Sequence, residues 1–169
     1  LRSMSELDTI FSKRGAIHAL TEAREQGRVR FLGLTGHHDP AVLFEAMRRF
    51  DFDTVLVALN VADVHRSSFA RTVLPDAARR GMGVIGMKVF AAGALVGPGG
   101  LCTPAEAMNY VLSLAGVSTV IIGCRTPAEV EANVKAAREF SSLPEVSMGA
   151  LEQRVRAREA DFTSYKRAG

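Results

Sequence analysis

The sequence predicts a parallel α/β fold, and three observations carry that expectation. Apolar runs at Val29–Leu34, Thr54–Leu59, Gly83–Lys88 and Val117–Ile122 have strand length and are rich in β-branched residues. A helical pattern follows each run, so no two strands are joined tightly enough for a hairpin, and right-handed crossovers are expected. The last run is the clearest. Val117, Val120, Ile121 and Ile122 form a near-continuous β-branched stretch, the pattern of a strand covered on both faces.

Each element has its own justification in chain order. Residues 1–13 read as a lead-in loop with a helical turn around Ser5–Phe11. Arg14–Gln26 puts Ile17, Leu20 and Ala23 on one helical face, and Gly27 ends it. After the first strand comes Thr35-Gly36-His37-His38. Asp39-Pro40 then caps a helix to about Arg49, with Val42, Leu43 and Met47 inward. Loop Asn60–Ser68 follows the second strand. The helix Phe69–Arg80 contains Pro75, which should kink or split it, and Gly81 ends it. After the third strand lies a glycine-rich loop, Val89–Leu101. Helix Pro104–Leu114 opens on Thr103-Pro104-Ala105-Glu106, a capping box repeated at Thr126–Glu129 before helix Pro127–Phe140. Met47, Met82 and Met108 read as core fillers. Met148–Tyr165 reads as a charged helix lying across the outside. The whole is expected to form one domain, 1–169, with repeated strand–helix units at 14–140 and a C-terminal extension at 141–169.

Composition narrows the functional classes. The 169 residues are 47% hydrophobic and 23% charged, as in a soluble globular domain. No apolar run reaches membrane-spanning length, and Leu1–Phe11 lacks the apolar core of a signal peptide. Cys102 and Cys124 form no metal or disulfide framework, so the cytoplasm is the expected compartment. The net charge of +3 comes largely from Arg154, Arg156, Arg158, Lys166 and Arg167, read as a solvated terminal helix. No basic stripe with interleaved aromatics is present, so nucleic acid is not an expected partner.

Four strand–helix units make half of a (β/α)8 barrel, a fold that needs roughly 250 residues. A doubly wound sheet is the alternative, but its glycine fingerprint is absent after the first strand, which ends in Thr-Gly-His-His. A half barrel leaves two strand edges open. Either an upstream half completes it or the chain self-associates through those edges, and the upstream half is the simpler expectation.

The stretch Val117–Val134 is the candidate binding site. A buried strand turns at Gly123 and enters a capped helix, whose N-terminus presents free N–H groups and the positive end of a dipole. Arg125 adds a positive charge there, and a phosphate is the expected ligand. Other readings stand beside this one. Thr126, Pro127 and Glu129 are explained as a cap, Gly93 and Gly123 as turn residues, Arg125 as a solvated charge, and Asn133 as a cap or a bridge to a neighbouring loop. His37, His38, Asp39 and His65 suggest a metal, but adjacent histidines point apart and Asp39 serves as a cap. Lys88, at a strand end, has a second reading as a Schiff-base lysine.

Three segments resemble the aldo/keto reductases. Gly27–His37, GRVRFLGLTGH, looks like the family's fifth strand. Val84–Leu95, VIGMKVFAAGAL, resembles its seventh strand and loop, closest to the branch with Met-Lys. Val120–Pro127, VIIGCRTP, with Asn133 is similar to its cofactor segment. The resemblance covers about Ile10–Phe140. It implies the C-terminal half of a (β/α)8 barrel and reversible reduction of a small-molecule carbonyl by hydride from NADPH or NADH. By family position, Thr35, Gly36 and His37 border the nicotinamide carboxamide, and Met87 stands where many members stack a tyrosine on the ring, followed by Lys88. Phe90 and Gly93 belong to the pyrophosphate loop. Gly123, Cys124, Arg125, Glu129 and Asn133 form the adenosine-phosphate end, where Arg125 suits a 2′-phosphate and hence NADP.

The chain departs from the family in its chemistry. The family's acid–base set of Asp, Tyr, Lys and His comes from the first four strands, which this sequence does not contain. Tyr110 and Tyr165 fall in helical patterns, and Leu56 stands where a glutamine often meets the carboxamide. No catalytic residue is therefore assigned. The expectation is the cofactor-binding half of a truncated NAD(P)H-dependent oxidoreductase, or alternatively a non-catalytic half-barrel module that binds nucleotide or assembles with a partner.

Overall fold

The computed structural model describes residues 1–166. Its sheet is built by β1 (Gly33–Gly36), β2 (Thr54–Ala58), β3 (Gly83–Met87) and β4 (Val117–Val120), all parallel and in the order β1-β2-β3-β4. A doubly wound sheet reverses its strand order. This one does not, so the sequential order is that of a barrel wall.

Side-chain alternation gives the sheet one covered face and one open face. Leu34, Val55, Val57 and Val84 are buried under the helices. On the other face the register sets Thr35 opposite Leu56, Leu56 opposite Ile85, and Ile85 opposite Thr119, and this row is only half-buried or exposed. The covered face holds α3 (Pro40–Arg49) and α6 (Pro104–Ser113) close to the strands because two glycines leave room. A Cβ on Gly36 would meet Leu43 at 3.0 Å, and one on Gly86 would meet Val111 at 3.0 Å. Met47, Met82 and Met108 are buried here, as expected.

The helices follow their caps. Before β1 come α1 (Met4–Ile10), where the sequence promised only a turn, and α2 (Ala16–Glu25). Asp39 caps α3 through Ala41 N–H at 2.8 Å. Pro75 splits the next helix into α4 (Phe69–Thr72) and α5 (Leu74–Arg79). The box at α6 is reciprocal: Thr103 Oγ1 accepts from Glu106 N–H, and the Glu106 carboxylate accepts from Thr103 N–H. The one at α7 (Pro127–Arg138) is not. There Glu129 accepts from Arg125 N–H instead, at 2.6 Å.

Three expectations are corrected. Val29–Leu32 precede β1 rather than joining it, because Leu32 donates its N–H to the Asp53 carboxylate and not to a strand. β4 is not covered on both faces: it is the sheet edge, Thr119 is exposed, and Ile121 just beyond it is 51% exposed. No residue of α7 is buried, so that helix leaves the strand's outer side open. The third correction concerns the C-terminus, where α8 (Glu145–Val155) and α9 (Glu159–Thr163) bury Leu151, Val155 and Phe162 in the core instead of lying across the outside.

Nor is the basic tail simply solvated. Arg154 donates to Leu101 O and pairs with Glu106, and Arg158 donates to Gly99 O. Lys166 is buried, with Nζ 2.5 Å from the Asp63 carboxylate. Arg156 is exposed as expected, and Arg167 lies outside the described residues. Cys102 is buried and Cys124 exposed, both as free thiols. Among the described residues no helix is long and apolar enough to cross a membrane.

Candidate functional site

All four strands run the same way, so the segments leaving β1, β2, β3 and β4 emerge on one side of the sheet. That side collects the sequence-predicted residues in two groups.

The first group is the turn from β4 into α7. Gly123, Cys124 and Arg125 are exposed. A Cβ on Gly123 would meet nothing within 4 Å, and its φ is not positive, so neither packing nor backbone conformation requires glycine there. The turn reading therefore does not explain it. Arg125 makes no ion pair among the described residues, although its own N–H is held by Glu129. Glu129 is thus used by the loop, and its carboxylate is part of the cap. Asn133 Nδ2 lies 3.2 Å from Cys124 Sγ, the bridge to a neighbouring loop foreseen as its alternative role. One helix face thus shapes the whole loop and leaves the Arg125 guanidinium free.

The second group gathers at the ends of β1, β2 and β3. His37 is half-buried, with its ring 4.5 Å from that of His38 and 6.1 Å from that of Tyr165. The two histidines do not point apart as expected. Burial first, then the charges of His38, Lys88 and Arg2, push the His37 pKa below its ordinary value, which favours the neutral ring. Thr35 lies on the open face. Gly36 faces the other way, toward Leu43 of α3, so helix packing accounts for that glycine. Met87 shares the open face with Ile85, at the end of β3 where a flat ligand could rest on it.

Lys88 follows with φ of 60°, and Ala91 and Ala92 have φ of 48° and 56°. Left-handed backbone at residues with a Cβ costs of order 1–3 kcal/mol each and persists where surrounding structure enforces it. Here the enforcement is visible: Lys88 O accepts from Ala91 N–H at 2.8 Å and from Asn60 Nδ2 at 3.3 Å. The glycines of the following loop are largely structural. Gly93 has φ of 96°, and a Cβ on Gly97 or Gly100 would meet backbone oxygens at 2.8 and 2.5 Å. Phe90 packs against the core, half-buried.

Sequence reasoning missed Asn60, Asp63, Tyr165 and Lys166. Asn60 had a signal, a polar residue directly after the apolar run Val55–Leu59. The link from Asp63 to Lys166 spans the chain and leaves no local pattern. Tyr165 lies beyond α9, not within a helix, with its hydroxyl 2.9 Å from Asn60 Nδ2. Tyr110 is helical as expected and donates its hydroxyl to Glu152. Among the described residues no three His, Cys, Asp or Glu side chains could hold a metal ion, and His65 instead contacts Glu152 O at 2.8 Å. Surface depressions of about 380 and 460 Å³ lie against Glu131 and Arg138 of α7 and against Phe31 and Thr54 at the opposite end of the sheet. Neither holds the predicted residues, whose side of the sheet is an open surface.

Comparison with known proteins gives a consistent picture. No model of a known protein family matches the sequence. The pyridoxal 4-dehydrogenase of Microbacterium luteolum is 28% identical over 152 residues, covering 73% of this chain and 44% of that protein. Among solved structures, the holo form of an aldo-keto reductase from Bacillus halodurans superposes with a TM-score of 0.68 at 20% identity, over 82% of this chain and 54% of the other. The glycerol dehydrogenase of Gluconobacter oxydans, another aldo-keto reductase, gives 0.61 at 19% identity, over 84% and 53%. The four parallel strands thus match a fragment of a (β/α)8 barrel, and the chain spans about half the length of the proteins it matches.

Proposed function

From the support that this relative and the shared fold give to the aldo/keto reductase family, we propose that the chain is the cofactor-binding part of an NAD(P)H-dependent oxidoreductase acting on a small-molecule carbonyl in the cytoplasm. The observation that carries this reading is the β4–α7 turn. Gly123 leaves open space beside an unpaired Arg125, at the N-terminus of a helix. Those features fit a phosphorylated nucleotide: backbone N–H groups and the dipole favour its negative charge, and a guanidinium forks onto phosphate oxygens. The 2′-phosphate is the natural partner of Arg125, which favours NADPH over NADH.

The other residues divide the remaining work. Met87 offers an apolar, polarisable surface for a flat ring, and Thr35 and the neutral His37 supply polar groups at its margin. The nicotinamide, when bound, supplies hydride to a carbonyl carbon. No residue of this chain is assigned as the proton donor. The second reading, a module that binds nucleotide without catalysis or associates through its open edges, draws on the exposed outer side of β4 and the unburied α7.

Thermal unfolding with added nucleotide tests the proposal. Ligand binding to the folded state raises stability by about 2.7 kcal/mol at a concentration 100 times Kd. A rise in melting temperature with NADPH, smaller with NADH, is expected. An unchanged midpoint at millimolar concentrations of both overturns the proposal.

A further inference from the structure

We propose that the C-terminal segment Phe162–Lys166 is a clasp that positions the nicotinamide end of the site, with Asn60 and Tyr165 as the positioning residues. The inference rests on the nicotinamide reading above for its ligand, but its geometry stands independently.

Asn60 is fully buried directly beyond β2. Its Nδ2 lies 3.3 Å from Lys88 O, 3.3 Å from Phe162 O and 2.9 Å from the Tyr165 hydroxyl. Its Oδ1 accepts from Ala62 N–H at 2.9 Å. One amide therefore ties the end of β3 to the C-terminal segment, whose Tyr165 is 105 residues from Asn60 in sequence. The carbonyl it holds belongs to Lys88, the first of the left-handed residues after β3. A strained peptide stays put only if its surroundings fix it. Asn60 shares that task with Ala91 N–H, which donates to the same carbonyl at 2.8 Å, and Asn60 is the one of the two that links it to Tyr165.

Tyr165 also reaches the neighbouring strand end, where its ring meets His37 edge-on. The segment is anchored by Lys166, whose ammonium contacts the Asp63 carboxylate, Asp63 O at 3.3 Å and Arg66 O at 2.7 Å. Further back, Arg158 holds Gly99 O in the loop after β3. The clasp thus touches the segments leaving β1 and β2 directly, and the segment leaving β3 through Asn60. Among the described residues no hydrogen bond links it to the β4–α7 turn, where the adenosine phosphate is expected, so its loss should affect one end of a dinucleotide and spare the other.

Tyr165→Phe tests this, because it keeps the ring on His37 and removes only the hydroxyl from Asn60. One hydrogen bond of ordinary strength corresponds to a loss of roughly two- to tenfold in affinity. That loss is expected for NADPH, whereas 2′-phospho-ADP-ribose, which lacks the nicotinamide, should bind within about twofold of the parent. Amide exchange at residues 88–91 should quicken in the same variant, and Lys166→Met should show the same pattern. Equal weakening of both ligands, or no change in either, overturns the clasp. If the parent chain binds neither nucleotide, the function proposed above falls. The exchange measurement then decides alone, and unchanged protection at 88–91 in both variants refutes the clasp.

Discussion

Replacing Asp63 with alanine strips a buried cation of its counter-ion. The Asp63 and Lys166 side chains are 1% and 0% exposed. The carboxylate accepts from Lys166 Nζ at 2.5 Å, Ser68 Oγ at 2.7 Å, Ala70 N–H at 2.9 Å and Phe69 N–H at 3.1 Å. Alanine leaves the ammonium with two backbone carbonyls and orphans two buried or half-buried N–H groups. Breaking a buried pair from one side costs about 3–5 kcal/mol, a large share of the roughly 5–15 kcal/mol that stabilises a typical domain. For a chain of this size each kcal/mol moves the melting temperature by about 2–4 °C. A fall of about 6–20 °C is therefore expected. Lys166→Met should cost less, because the carboxylate keeps three donors and the thioether fills the space. The double variant Asp63→Ala, Lys166→Met should cost less than the two single changes added.

The pH dependence has a defined sign. Burial already holds Lys166 below its ordinary value of 10.5, while Asp63 pulls it back up. Without Asp63 the folded-state value drops further. A group depressed in the folded state contributes stability above its unfolded pKa, and that stability is lost as pH falls through the folded value. The Asp63→Ala deficit should therefore shrink as pH rises toward 10.5. Urea unfolding followed by circular dichroism at several pH values measures both effects. A cost below about 1 kcal/mol at neutral pH, or a deficit independent of pH, refutes the buried-pair reasoning.

Other perturbations separate the parts of the account. Arg125→Ala should weaken NADPH by about tenfold and leave NADH nearly unchanged, as read by isothermal titration; equal losses show that Arg125 does not read the 2′-phosphate. Thr103→Ala removes one half of the reciprocal cap on α6 and should cost about 1 kcal/mol in urea unfolding. Glu106 is held below its ordinary range first by Thr103 N–H and also by Arg154. Its contribution is present above the unfolded pKa and lost as pH falls through the folded one, so Glu106→Gln should flatten the acid side of the stability profile. Gly15→Ala would set a Cβ 2.0 Å from Ile10 O and should unfold the α1–α2 junction, seen as accelerated amide exchange there.

Much of the architecture was legible because it depends on local chemistry. The second and third strand-length apolar runs, Asp39 and Thr103 as caps, and Pro75 as a break each act within a few residues, and each stands where the sequence implied. The errors come from interactions between distant residues. The pattern of Val117–Ile122 could not reveal that β4 is an edge, since burial of a β-branched run depends on what lies beside it. The tail charges looked solvated because Asp63, Glu106 and the carbonyl of Gly99, their partners, are far away in sequence. At the site, Gly123 and Arg125 were readable from the turn they make, whereas Asn60 and Tyr165 become visible only when the chain closes on itself. Glu129 and Asn133 each contact the loop, Glu129 through Arg125 N–H and Asn133 through Cys124 Sγ.

The most direct measurement is an NMR titration of the amide-labelled chain with NADPH. The account predicts shifts concentrated at Gly123–Thr126, with a second set at His37 and Met87–Phe90, both saturating at one concentration. Shifts confined to the outer face of α7 or to the Phe31–Thr54 end of the sheet, or no shifts at millimolar NADPH, would contradict it.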